Sequence, residues 1–272
     1  MIKKIIKSFF NFFGYSIELK NPRFGYPQKF FPIEVNESQR EIIKSCEQYS
    51  ITGRIRMSNL LQLIYFVIKN EIDGDIVECG VWKGGNLILA QKCLDILKAE
   101  KKIYGFDTFE GMSKPLDIDV QIVQLKSKNS MKSQLEYRRA SAMMESVTKT
   151  KNDGRNIWAY CDLDTVKKNI SSKVPNNNIK LIKGKVEETL LVNQNLPKKI
   201  SILRLDTDFY ESTKIELEIL YPRLVNEGFL IIDDYGHWQG AKKAVDEYFK
   251  DNPPFLHVVD ETCRLIVKKN QN

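Results

Sequence analysis

Residues 74–86 read Gly74-Asp-Ile-Val-Glu-Cys-Gly-Val-Trp-Lys-Gly-Gly-Asn86, a short apolar run that ends in a glycine-rich turn. A helical stretch follows from Asn86 to Lys98. A second apolar run, Lys102-Ile-Tyr-Gly-Phe-Asp107, then ends in an acid. Strand, turn, helix, strand is a βαβ unit and calls for a parallel sheet. Ligands of such sheets bind beyond the carboxyl ends of the strands, so the turn and Asp107 are the first places to look for chemistry.

Downstream, the alternation continues after a gap. Helices are expected at 163–170, 186–191, 212–225 and 241–250, with strands at 179–184, 200–206 and 228–233. Runs at 256–260 and 264–268 are joined too closely for a crossover and predict an antiparallel hairpin. The fold class is therefore α/β: a seven-stranded, mostly parallel, Rossmann-like sheet with helices on both faces and the last strand antiparallel. Upstream, apolar periodicity predicts helices at 37–50 and 58–70, separated by the polar piece Thr52-Gly-Arg-Ile-Arg56. Residues 112–160 break the rhythm: they are Lys- and Met-rich, with modest helical periodicity around 133–147, and read as an insertion that acts as a lid. Residues 1–50 form an N-terminal arm and helix, and residues 51–272 one domain carrying that insertion at about 112–160.

The chain has 272 residues and a net charge of +7, from 42 Lys and Arg against 35 Asp and Glu. Zinc knuckles, RNP aromatics and a basic stripe are all missing from it, so nucleic acid is not expected as a partner. The five cysteines include no C-x-x-C pair and suit free thiols in a reducing, cytoplasmic setting. Residues 1–20 are too short and polar to span a membrane. Ile2, Ile5, Ile6, Phe9, Phe10 and Phe13 can share one helical face, suited to weak membrane-surface contact, to docking on the protein's own body or to a second subunit of a homo-oligomer.

Three groups of residues can carry chemistry. Gly80, Gly84 and Gly85 are spaced G-x-x-x-G-G, neither a dinucleotide fingerprint nor a P-loop. Without Cβ atoms they let backbone approach a ligand, or serve tight packing alone. Asp107 can accept from ribose hydroxyls or cap a turn. Asp206-Thr-Asp208 and Asp233-Asp234 end two strands, so four carboxylates converge on one sheet edge. That arrangement is costly unless a cation neutralises it, and oxygen ligands suit Mg²⁺ or a similar divalent ion. A carboxylate outside the metal shell can act as base. The competing reading is that Asp208 and Asp234 cap helices. His237 can serve as base, turn residue or substrate contact, whereas His257 reads as structural.

Together these residues resemble the macrocin O-methyltransferase family. The matching stretches are Gly74–Gly85, Gly105-Phe-Asp-Thr-Phe-Glu-Gly111, Leu203-Arg-Leu-Asp-Thr-Asp-Phe-Tyr-Glu-Ser-Thr213 and Leu220–Gly236, with Ala241–Phe249 similar to the helix that follows. The resemblance covers roughly residues 50–110 and 160–250 and implies a methyltransferase domain at 51–272. It implies S-adenosylmethionine (SAM) as cofactor, Mg²⁺ or another divalent cation, and a sugar-bearing small molecule or glycan as acceptor. It places Glu78, Gly80, Val81, Trp82, Gly84, Gly85 and Asn86 at the methionine end of SAM, Asp107 at the ribose, and Gly184 and Glu187 near the adenine. Asp206, Asp233 and Asp234 would bind metal, with Asp208 as general base or Asp206 sharing that role. The insertion and the first ~50 residues depart from the family pattern, which leaves the acceptor open. The basic insertion makes a phosphate-bearing or lipid-linked sugar attractive. The alternative is a metal-dependent glycosyltransferase using the D-x-D at 206–208, which leaves the Glu78–Gly85 turn and Asp233-Asp234 unexplained.

Overall fold

The computed structural model describes residues 30–126, 133–148 and 158–269. The amphipathic stretch at 2–13 lies outside them.

Asn36 opens helix α1 (Glu37–Cys46) with a reciprocal capping box: its side chain accepts from Gln39 N at 3.0 Å, and the Gln39 side chain accepts from Asn36 N at 3.1 Å. Helix α2 (Arg54–Lys69) starts four residues earlier than the periodicity suggests, because Gly53 takes the N-cap position and Arg54–Arg56 join the first turn. Strand β1 (Asp75–Cys79), α3 (Gly85–Leu97) and β2 (Ile103–Asp107) then form the expected unit.

The insertion departs from expectation. It contains an antiparallel hairpin, β3 (Val120–Lys126) against β4 (Ser133–Arg139), followed by α4 (Ala140–Thr148). Helix is thus found only after residue 139. Regular alternation resumes with α5 (Leu163–Lys173), β5 (Ile179–Lys183), α6 (Val186–Thr189), β6 (Ile200–Leu205) and α7 (Tyr210–Leu220). Helix α7 stops before the expected residue 225: Pro222 cannot donate a backbone hydrogen bond, and a 3₁₀ turn leads into β7 (Leu224–Ile232). The described chain closes with α8 (Gln239–Tyr248), β8 (His257–Val258) and β9 (Arg264–Val267).

The sheet order is β5-β2-β1-β6-β7-β9-β8. Its first five strands are parallel, and β9 runs antiparallel to both β7 and β8. Alternation along the central strands splits the core in two. Ile76 and Ile202 face α1, α2 and α3, whereas Val77, Leu203 and Leu230 face Leu217, Leu220 and Val245 of α7 and α8. The chain order reverses between β1 and β6, which opens the crevice where such sheets bind ligands.

Candidate active site

Both segments named in the sequence meet at that reversal. The strand ladder continues one residue past each strand end, with Asp206 N donating to Cys79 O at 2.9 Å and Asp233 N to Leu205 O at 3.0 Å. Gly80 (φ +87) packs so closely on Asp206 that a Cβ would stand 2.0 Å from its carbonyl oxygen. A Cβ on Gly85 would meet the Tyr49 backbone at 2.7 Å. Gly80 therefore brings the turn against the acids, and Gly85 seats the start of α3 on Tyr49 and Ser50. Gly84 holds φ +89 as the N-cap of α3.

Asp107 binds this turn from the neighbouring strand. Its Oδ2 accepts from Val81 N at 2.8 Å and Trp82 N at 3.0 Å, and its Oδ1 accepts from Phe109 N at 2.7 Å. Gly184 N donates to Asp107 O at 3.0 Å, which places the β5 end beside it. On α6, Glu187 Oε2 is buried without a hydrogen-bond partner among the described residues.

Glu78 lies beneath the turn and is 3% exposed. Its Oε1 accepts from Asn86 Nδ2 at 2.9 Å and Arg204 Nη1 at 2.7 Å, beside a small pocket also lined by Leu60, Ile76 and Ile202. Burial pushes the Glu78 carboxyl up to about 7, against the pull of Arg204 and Asn86. Arg204 also donates to Asp206 Oδ2 at 2.7 Å, Asp233 Oδ1 at 2.6 Å and Thr52 Oγ1 at 3.2 Å. Arg56 reaches in from α2 to Asp233 Oδ2, Asp260 and Thr262. Burial alone would raise the Asp233 carboxyl, but Arg204 and Arg56 outweigh it and hold the group below its usual range.

The remaining acids are poorly compensated. Burial, then Asp234 and Asp206, push the Asp208 carboxyl well up; burial likewise raises Asp206, against Arg204. Asp234 is 5% exposed, and its Oδ2 has no partner among the described residues. Neither Asp208 nor Asp234 caps a helix, since α7 and α8 start without a side-chain cap. Asp206, Asp233 and Asp234 place ligand oxygens within 4.8 Å of one another, and so do the ligand atoms of Asp208, Asp234 and His237.

The insertion borders this cluster. Ile122 N donates to His237 O at 2.7 Å, and Trp158, Phe209 and Trp238 pack edge-on or tilted, at centroid distances of 5.5 to 6.4 Å. Asp119 bridges the two segments, its Oδ1 accepting from Tyr210 N at 2.9 Å and its Oδ2 from Leu116 N at 2.7 Å.

Sequence reasoning missed Arg204, Arg56 and Asp119. Arg204 carried a signal, because a charge inside the apolar strand Ile200–Leu205 must find buried partners. Arg56 and Asp119 carried none, since their partners are distant in sequence. His257 stands on the exposed edge strand β8, against Phe255 at a centroid distance of 4.5 Å.

The chain is 30% identical over 205 residues to demethyldecarbamoylnovobiocin O-methyltransferase of Streptomyces niveus, covering 74% of this chain and 67% of that protein. It is 29% identical, over the same length and coverage, to 8-demethyl-8-(2,3-dimethoxy-alpha-L-rhamnosyl)-tetracenomycin-C 4'-O-methyltransferase of Streptomyces olivaceus. The solved O-methyltransferase NovP superposes with a TM-score of 0.64 at 25% identity, covering 82% of this chain and 83% of that one. The Macrocin-O-methyltransferase (TylF) family model matches residues 32–265, which take in both glycine turn and acid pairs. With all these strand-end segments inside the match, the chain belongs to the macrocin O-methyltransferase family and is a SAM-dependent O-methyltransferase.

Proposed function

We propose that this protein methylates a sugar hydroxyl, on a small molecule or glycan, with the help of a divalent cation held by Asp206, Asp233 and Asp234. The observation that carries this reading is the buried Asp234 Oδ2, without a partner among the described residues, within a cluster of acids packed directly against the glycine turn. Such a donor set fits a hard cation, because oxygen ligands suit Mg²⁺ and unpaired buried carboxylates are costly without one. The rhamnosyl group in one relative's name supports a sugar acceptor.

In this reading the 80–85 turn receives the methionine end of SAM, with Glu78 and Asn86 bracing it from beneath. Asp107 fixes the turn and borders the ribose. Glu187 Oε2, an acceptor in want of a donor, suits the adenine amine at the Gly184 side. A bound divalent ion would lower the pKa of the acceptor hydroxyl. Asp208, outside that triad and beside Asp234, takes its proton. The insertion serves as a lid, anchored through Asp119 and the Trp158–Phe209–Trp238 cluster. The five cysteines are all free and buried, in keeping with a cytoplasmic enzyme.

Calorimetric titration with SAM, in the presence of Mg²⁺ or EDTA, tests the cofactor. Micromolar binding by the wild type is expected, with loss in Gly84→Arg, since Gly84 holds φ +89 and a side chain there would start against Val166 and Ile170. Methyl transfer to a panel of nucleotide sugars and glycosides, followed by mass shift, tests the acceptor. Transfer that persists undiminished in EDTA would overturn the metal role.

A further inference from the structure

We propose that Asp208, Asp234 and His237 form a second divalent-cation site, selective for a first-row transition ion, that shares Asp234 with the Asp206–Asp233–Asp234 site. The two triads differ in how their charge is met. Arg204 and Arg56 make three ion pairs with Asp206 and Asp233. Among the described residues, neither Asp208 nor Asp234 is paired with Arg or Lys. The carboxylates that meet no cation are therefore Asp208 and Asp234, the latter 5% exposed, with its Oδ1 toward His237 and its Oδ2 buried without a partner among the described residues.

The imidazole is held as a ligand would be. Its Nδ1 lies 3.8 Å from Asp234 Oδ1, and its Nε2 meets the side-chain amide of Gln121. The Gln121 amide nitrogen faces Nε2; rotating that amide by half a turn lets its oxygen accept from Nε2–H and leaves the Nδ1 lone pair to the acids, as an outer partner orients most metal-binding histidines. Adding imidazole to carboxylate oxygens moves preference from Mg²⁺ toward Co²⁺, Ni²⁺ and Zn²⁺. Only the consequence rests on the proposed function: with Asp208 as the base, an ion here takes up the base's lone pair, so transition ions in excess inhibit.

The test is Co²⁺ titration of the full chain, followed by dialysis stoichiometry and visible absorption, with Mg²⁺ titrated in parallel. The wild type should hold two Co²⁺, and His237→Ala one, with its Mg²⁺ affinity unchanged. Gln121→Leu should weaken the second Co²⁺ at least tenfold, which keeps the test usable if His237→Ala misfolds. Asp206→Asn should lose the other ion. A wild type that binds one Co²⁺, or a His237→Ala protein that still binds two, overturns the site. Methyl transfer that persists undiminished in EDTA, while two Co²⁺ still bind, would overturn the proposed metal role and leave the site standing.

Discussion

Arg204 stands one residue before the end of β6 with its side chain 3% exposed and meets Glu78, Asp206 and Asp233. A buried cation of this kind is worth most through what its loss would strand. Arg204→Met would leave three carboxylates without their shared partner, and breaking a buried pair costs about 3–5 kcal/mol. Urea unfolding should show a loss of that order. Arg204→Lys should fall between, because an ammonium keeps the charge but not the planar fork. Glu216 offers a pH test. It is wholly buried, both carboxyl oxygens accept from Thr207 Oγ1 at 3.0 and 3.1 Å, and burial raises its carboxyl well above the usual range. A carboxyl raised in the folded state stabilises below its unfolded pKa, and that contribution is lost as pH rises through the folded value. Glu216→Gln keeps an acceptor for Thr207 and cannot ionise. The variant's Tm should therefore gain on the wild type as pH rises above the ordinary carboxylate range; a constant gap would remove Glu216 as the cause.

At the scale of elements, the insertion and α7 are joined at one side chain. Asp119 is 1% exposed, accepts from the first residue of α7 and receives β4's exit through Ala140 N donating to its carbonyl at 2.9 Å. Gly240 of α8 leaves it room, since a Cβ there would stand 1.9 Å from Asp119 Oδ1. Asp119→Ala removes the acceptor at the α7 start, worth about 1–2 kcal/mol. It should also free the turn that carries Asp208, so kcat should fall while SAM affinity is kept. A Tm loss with kcat intact would make Asp119 purely structural.

Over the whole molecule, what could be read from sequence follows the range of the interactions involved. Strands β1, β6 and β7 announce themselves as apolar runs ending in glycine or acid, because parallel strands buried on both faces must be apolar. The acid pairs were visible for the same reason, as charges at strand ends. The insertion was opaque: strand β4 contains Glu136, Arg138 and Arg139, a composition that shows no clean alternation. Arg56 was also invisible as a site residue, since an arginine in the first turn of a helix ordinarily faces solvent and nothing local points to residue 233 or 260.

Those Arg56 contacts, which span 177 and 204 residues, also set a timetable. Chains emerge from synthesis in order, at about 5–20 residues per second. Asp233 must thus wait for the segment at 260–262 before its arginine is locked in place by Asp260 and Thr262. The acid cluster therefore gains its second arginine in final form only once residue 262 has been made, well after both acid pairs have left the ribosome.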